Sequence, residues 1–366
     1  MKKTLLATAI AGALGASAAA QAATVYNQDG TQLDIYGNIQ IAYSAVNDTD
    51  GESRDELQDN GSTVGFSGQH IINPGLTGYF KAEFEHDADE EKVGGGLNDG
   101  DQAYLGLKGN FGDARLGSWD PLIDDWIQDP ISNNEYFDVS DSSGAALTRF
   151  TDDAVYGTDD REGDKFQYMS PVWGGLQFAV GTQFKGDNDS YTVENSAGDD
   201  VELDRDDSNA SFFGGLKYAV GAFSIAAVYD DLDNYDGEYT STGNSFDAGD
   251  QYGVTAQYTI DTLRVSAKVE RFDSDQGDAD ADFYALGARY GYAFADNFAG
   301  DIYGAYQYID VEDGSEFLNG DDSANEIVGG VTYNISPAMY TFIEGALRDR
   351  QDDEGDGVAV GAVYSF

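Results

Sequence analysis

The chain has 366 residues, a formal net charge of −49 and no cysteine. Because only 19 lysine and arginine residues stand against 68 aspartate and glutamate residues, the composition excludes nucleic-acid binding through neutralised phosphates. The missing cysteines exclude disulfide scaffolds, thiolate metal sites and cysteine nucleophiles. The length suits either two soluble domains or one large all-β unit.

The first residues form a targeting segment of the signal-peptide kind. Two lysines follow Met1, and residues 5–16 are an apolar stretch too short for a permanent membrane helix. The small-x-small pattern Ala20-Gln21-Ala22 predicts cleavage between Ala22 and Ala23. The alternative is an N-terminal membrane anchor. We therefore predict a signal peptide over residues 1–22 and one folded unit over residues 23–366 of an exported protein.

Beyond the leader, polar and apolar side chains alternate. In residues 263–270, aliphatic residues occupy the odd positions and polar or charged residues the even ones. Residues 33–43, 76–85 and 284–292 repeat the pattern. A period of two predicts β-strands with one apolar and one polar face. No run of about 18 apolar residues occurs, so no membrane helix is predicted.

The connections between these strands alternate in length. Seven short turns, such as Asn73–Gly75 and Ile260–Thr262, separate eight long acidic loops, such as residues 187–207 and 230–250. This order predicts sixteen antiparallel strands in an up-and-down meander. Short periplasmic turns and long external loops are typical of a transmembrane β-barrel, and a sandwich does not separate them so regularly. We therefore predict an all-β transmembrane barrel with an aqueous bore.

Aromatic residues support the same fold. Tyrosines near strand ends on the apolar face predict a girdle at the membrane interface, with ordinary β-propensity as the alternative reading. They are Tyr218, Tyr229, Tyr258, Tyr290, Tyr306, Tyr308, Tyr333 and Tyr364. The chain ends in a strand with apolar residues at every second place from Val358 to the terminal Phe366.

Signals of enzyme chemistry are weak. The two histidines, His70 and His86, fall at a strand end and a loop start, where surface positions are expected. No nucleophile elbow, zinc-protease motif or phosphate loop occurs. The aspartates of residues 273–282 lack the EF-hand spacing, although loose binding of divalent ions by such acidic loops is an alternative. We expect no catalytic residue, no specific metal site and no cofactor.

Several segments carry a resemblance to a known family. They are Val25–Gly37, Val64–Gly68 with Leu76–Tyr79, Leu105–Lys108 with Gly117–Asp120, Tyr168–Leu176 and the terminal Phe366. Together they resemble the Gram-negative general diffusion porins of the enterobacterial trimeric type. The resemblance implies a homotrimer in the bacterial outer membrane that contacts lipid and lipopolysaccharide and passes ions and small hydrophilic solutes. It also implies that Tyr364 and Phe366 form a signal read by the barrel-assembly machinery.

The resemblance further implies that a long third loop folds into the lumen as a constriction. Here that loop covers about residues 119–161, and its acidic residues are Asp120, Asp124, Asp125, Asp129, Glu135, Asp138 and Asp141. The family's Pro-Glu-Phe-Gly-Gly loop tip is missing, so Glu135 and Asp138 are the candidates to replace its acid.

In the family, a basic cluster on the wall faces this loop. The family's usual lysine is replaced by Asn38, and its usual arginines by Thr63 and Asp101. The remaining candidate wall cations are Lys81, Arg115 and Arg161. Acids on the loop and lost cations on the wall together predict a channel that prefers cations.

Three other functions compete with a passive, cation-preferring channel. A substrate-specific channel, for instance for an oligosaccharide, needs a continuous aromatic track in the lumen. The aromatic residues predicted to face the lumen, Tyr36, Tyr79, Phe213 and Tyr303, form no obvious track in the sequence. A structural or adhesive barrel has a closed bore. A soluble, salt-adapted secreted protein uses its acidity as a hydration shell.

Overall fold

A computed structural model describes most of the chain. The described residues are 22–48, 50–89, 100–127, 135–137, 139, 163–184, 190–194, 200–204, 210–273, 280–295, 298–315 and 321–366. Residues 1–21 of the predicted signal peptide lie outside them. Within the described ranges, no helix is long and apolar enough to cross a membrane.

Strands make up most of the described chain. In chain order they are β1 (Ala23–Gln28), β2 (Thr31–Asn47), β3 (Ser53–Asp59), β4 (Thr63–Asn73), β5 (Leu76–Glu85), β6 (Gly100–Gly109), β7 (Gly112–Ser118), β8 (Lys165–Met169), β9 (Leu176–Phe184), β10 (Ser190–Glu194), β11 (Asp200–Asp204), β12 (Ala210–Val220), β13 (Phe223–Asp231), β14 (Gly237–Tyr239), β15 (Ser245–Phe246), β16 (Asp250–Ile260), β17 (Leu263–Asp273), β18 (Ala281–Ala295), β19 (Phe298–Ser315), β20 (Asp321–Ser336), β21 (Met339–Arg348) and β22 (Gly357–Ser365). A helix, α1 (Leu122–Ile127), follows β7, and two short 3-10 turns cover Asp233–Tyr235 and Gln351–Asp353.

Eighteen of the described strands form one antiparallel sheet that closes on itself, because β22 pairs with β2. The four remaining strands, β10, β11, β14 and β15, form a small separate sheet within two of the long connections. Closure leaves no unpaired sheet edge, which is what a strand-built membrane protein requires in lipid.

The eighteen strands fill sixteen positions around the barrel, as predicted. β3 pairs with the second half of β2 and β4 with its first half, so β3 and β4 share one position. On the other side of β2, β22 pairs with the residues of β2 from Asn38 onward. On the same side, β1 pairs with the earlier residues Thr31–Ile35 of β2. The two ends of the chain therefore share the position that closes the barrel.

The side chains confirm the two faces predicted from alternation. In β17, Ser266, Lys268 and Glu270 are buried inside the barrel, whereas Val265 and Val269 are exposed on its outer surface. The same division recurs in β21, where Glu344 is buried inside the barrel and Ile343 and Leu347 are exposed on its outer surface. An apolar outer belt and a polar interior suit a barrel with lipid outside and water inside.

Candidate functional site

The connection between β7 and β8 begins with helix α1, which docks against the inner wall. Its residues Leu122, Ile123, Trp126 and Ile127 are buried and pack against side chains of β9, β12 and β13. This i, i+1, i+4, i+5 spacing makes one apolar helix face. Asp124 and Asp125 lie in the first turn, where the helix dipole favours carboxylates.

Glycines on the wall make room for the helix. A Cβ at Gly215 of β12 would lie 2.9 Å from the Trp126 ring, and one at Gly253 of β16 would lie 2.6 Å from Ile127 Cγ2. Real Cβ atoms do not approach that closely, so side chains at these two positions would displace α1. The docking surface therefore depends on residues that carry no side chain.

A second part of the same connection docks farther around the barrel. Glu135 forms a 2.7 Å ion pair with Arg289 of β18. The Glu344 carboxylate of β21 accepts hydrogen bonds from the backbone N–H groups of Tyr136 at 2.9 Å and Phe137 at 2.6 Å. Phe137 and Val139 pack on an apolar inner patch formed by Ala42, Ala285, Ala305, Val328, Phe342, Ala346, Ala359 and Val363.

The two docking sites place the described parts of this connection along one side of the interior. The connection leaves the wall at β7, touches β12, β13 and β16 through α1, and then touches β18 and β21. The inner surfaces of β4–β7 lie on the other side. The remaining predicted loop acids Asp129, Asp138 and Asp141 and the predicted wall cation Arg161 lie outside the described residues.

The described acids of α1 and its flank face this second surface. Asp120 accepts a hydrogen bond from Gln102 Nε2 at 2.8 Å, and an Asp125 oxygen lies 3.7 Å from Arg115. Although 40% of its side chain is exposed, Asp125 is surrounded by the barrel wall. Loss of hydration there raises the pKa of Asp125, and the nearby Arg115 opposes part of that shift.

The predicted wall cations Lys81 and Arg115 both point into the lumen. Lys81 Nζ contacts Glu83 at 3.0 Å and Gln102 at 3.1 Å. The Arg115 guanidinium lies over the rings of Tyr104 and Trp119, with its central carbon 5.1 Å and 4.3 Å from their centroids. These two cations are held by aromatic and acidic neighbours on the wall.

The positions at which the family's cations are replaced carry uncharged or acidic side chains. Asn38 and Thr63 are cross-strand partners, and Asn38 Nδ2 donates to Thr63 Oγ1 at 3.1 Å. The third replacement, Asp101, lies beside Glu83. This stretch of wall therefore carries no described cation except Lys81.

Three further cations near the connection were missed by sequence reasoning. Lys165 lies over the Trp119 ring at 5.4 Å, Lys217 lies over the Trp126 ring at 5.4 Å, and Arg289 pairs with Glu135. Alternation places Arg289 on the polar face, but it does not show which part of the chain an inward residue will meet. Which inward cations contact the connection between β7 and β8 is decided only when the barrel closes around it.

Known proteins with this architecture identify the family. A model of the Gram-negative porin family matches residues 7–354. The chain is 53% identical over the full length of both chains to a protein named monosaccharide porin from a Halomonas species, and equally to the major outer membrane protein of Halomonas elongata. It is 26% identical, again over both full lengths, to the porin PhoE of Escherichia coli.

Solved porin structures share the fold. The chain superimposes on Salmonella typhi OmpF in complex with daunomycin with a TM-score of 0.66 at 20% identity, covering 94% of this chain and 100% of that one. An anion-selective porin from Comamonas acidovorans gives a TM-score of 0.64 at 20% identity, covering 92% and 100%. The chain belongs to the Gram-negative porin family. It is a non-enzymatic channel protein of the bacterial outer membrane.

Proposed function

We propose that this porin passes hydrophilic solutes of about monosaccharide size, together with small ions, by passive diffusion. The carrying observation is the docking of α1, of residues 135–137 and of Val139 on the inner wall. A sixteen-position barrel is wide enough for an aqueous channel, so a segment lying inside it narrows the bore. The 53% identical relative from a Halomonas species is named a monosaccharide porin, which supports this size class of solute.

Liposome swelling tests this size class. Vesicles containing the purified porin are diluted into isosmotic pentose, hexose, disaccharide and trisaccharide solutions. We expect fast swelling with pentoses and hexoses and much slower swelling with trisaccharides. Deleting residues 121–149 should raise the trisaccharide rate, because the deletion removes the docked segment. No swelling with any sugar would indicate a structural barrel, and fast trisaccharide entry in the unaltered porin would contradict the size class.

We further propose that the channel prefers cations. The carboxylates Asp120, Asp124 and Asp125 lie at the start of the docked connection, and the replaced positions Asn38 and Thr63 leave part of the facing wall without a cation. A charge pair about 4 Å apart in an effective dielectric of about 20 is worth roughly 4 kcal/mol, so a few such groups suffice. The fold does not decide the sign, since porins of this fold include an anion-selective one.

The reversal potential in a KCl gradient tests the preference. The expected sign favours potassium and should persist, reduced, at high salt because groups inside the bore are screened less than external ones. Neutralising Asp120, Asp124 and Asp125 together should lower the preference. The matched control neutralises three exposed carboxylates of the β2–β3 and β21–β22 connections, Glu52, Asp352 and Asp353, and should lower the preference much less. A potential of zero, or one favouring chloride, would show that Arg115 and the neighbouring lysines dominate.

The homotrimer implied by the resemblance also remains a proposal for this chain. Electrophoresis without heating, compared with chemical crosslinking in native membranes, tests it. A crosslinked product of three chains is the expected result, and a monomer under both conditions contradicts it.

A further inference from the structure

Three aromatic rings form a continuous row on the inner wall. Tyr79 of β5 and Tyr104 of β6 have ring centroids 6.2 Å apart, and Tyr104 and Trp119 have centroids 5.8 Å apart. Each pair meets edge to face, the favourable geometry for aromatic rings. Tyr79 and Tyr104 are partly exposed, and Trp119 is buried behind Arg115. From Tyr79 to Trp119, the row runs from the short-turn end of the barrel toward α1.

The strand register produces this row. Tyr79 is paired with Gly106, and Tyr104 with Lys81 and Gly117. A Cβ at Gly106 would lie 2.4 Å from the Tyr79 ring, so the glycine allows that ring to lie against the wall. Residues that are 25 positions apart in the sequence are thereby brought into contact, which explains why the row was not visible in the sequence.

Polar groups of both kinds border the rings. Lys108 Nζ lies 5.0 Å from the Tyr79 centroid, and the Asp113 carboxylate accepts a hydrogen bond from the Tyr79 hydroxyl. The Arg115 guanidinium lies beside the rings of Tyr104 and Trp119, with its Nε buried against the wall. The row therefore offers the exposed parts of two tyrosine rings beside the cationic groups of Lys108 and Arg115 and a carboxylate acceptor.

We propose that this row is a binding track for uncharged monosaccharides, an inference that rests on the proposed function above. A pyranose has an apolar C–H face and a rim of hydroxyl groups. The face packs against the exposed parts of the Tyr104 and Tyr79 rings, while the hydroxyls bond to the side chains of Arg115, Lys108 and Asp113. Because charges of both signs border the rings, the track suits a neutral polyol better than a sugar acid or sugar phosphate.

The track predicts saturable binding of D-glucose in planar bilayers. Glucose is titrated, and the half-saturating concentration for its effect on current amplitude and noise is measured. Tyr104→Leu removes the ring but retains most of the volume, and should raise that concentration by about 3- to 10-fold. Tyr104→Phe retains the ring and should stay close to the unaltered porin. Tyr290→Leu, which changes an exposed tyrosine on the outer face, is the matched control and should have no effect.

Three results would overturn the track: no saturable glucose effect in the unaltered porin, an unchanged half-saturating concentration in Tyr104→Leu, or an equal loss in Tyr104→Phe. Ion conductance without sugar shows whether each variant still forms an open channel. Liposome swelling separates the two proposals. Glucose entry without saturable binding supports the channel function and contradicts the binding track. The absence of any glucose entry contradicts the channel function.

Discussion

Glu135 and Arg289, 154 positions apart in the chain, form an ion pair of 2.7 Å inside the barrel. Glu135 is 3% exposed, so its charge is neutralised at the wall instead of standing free in the bore. Among the candidate constriction acids, Glu135 therefore acts as an anchor of the connection between β7 and β8.

Removing this anchor charge should loosen the docked segment. Breaking a buried pair costs roughly 3–5 kcal/mol, and we expect Glu135→Gln to fall at the lower end because Asp301 remains 3.8 Å from Arg289. Single-channel recordings should show larger fluctuations of the open current, while the heat-modifiable barrel band is unchanged. Glu52→Gln, in an exposed loop, should leave the recordings unaltered. A steady current in Glu135→Gln would show that Glu344 and the apolar patch hold the segment alone.

Filling the wall beneath α1 should displace the helix. Gly253→Leu places a side chain where Ile127 packs, so single-channel conductance should change while the barrel still folds. Gly329→Leu adds the same side chain on the outer face, where a Cβ meets nothing nearer than 3.5 Å, and should leave conductance unchanged. Equal conductance in both variants would mean that the docked helix does not shape the conducting path.

Charges should be tolerated on one face of β2 and not on the other. Ile39 is exposed on the outer surface, and its neighbour Asn38 points into the lumen. Ile39→Arg should destabilise the barrel by about 2–4 kcal/mol if the residue lies near the bilayer midplane, because the charge faces lipid. Asn38→Arg should cost far less and should weaken any cation preference. Urea unfolding in lipid vesicles measures the first effect, and a similar loss for both variants would reverse the assignment of the faces.

Loss of the last residue should impair assembly. Phe366 exchanges backbone hydrogen bonds of 3.0 Å and 2.9 Å with Gly37 at the seam where β22 meets β2. Removing it deletes both bonds and the end of the apolar alternation. The amount of folded protein in the outer-membrane fraction should fall. Phe294→Ala removes a more exposed aromatic residue away from the seam and should assemble normally. Normal amounts of the truncated chain would argue against an assembly signal at this terminus.

As the pH falls, any cation preference should begin to decline at a higher pH than it would if all the carboxylates had ordinary pKa values. Burial raises the pKa of Asp125, so this residue becomes neutral at a higher pH than an exposed aspartate as the pH falls. The reversal potential in a KCl gradient should therefore begin to drop above the normal aspartate range. Asp125→Asn should lower the preference at neutral pH and remove this early step. An identical pH profile in the variant would assign the step to another group.

The sequence by itself determined the strands of the barrel wall and the face that each of their residues occupies. Alternation is a local property of each strand, so it correctly placed Lys268 inside and Val269 outside before any strand was paired. The order of short turns and long loops determined the number of strand positions, because neighbouring strands in a meander are also neighbours in the chain. The need to pair every backbone group in lipid then required closure.

Only the tertiary structure decided what lies inside the wall. Glu344 meets the backbone of Tyr136 across 208 positions, and the row from Tyr79 to Trp119 depends on the register of three strands. The sharing of one position by β1 and β22 also depends on register. A strand pattern of period two specifies which face a residue occupies but not its height along the barrel or the residue opposite. Those relationships are set by closure and by the docking of the connection, which join distant parts of the chain.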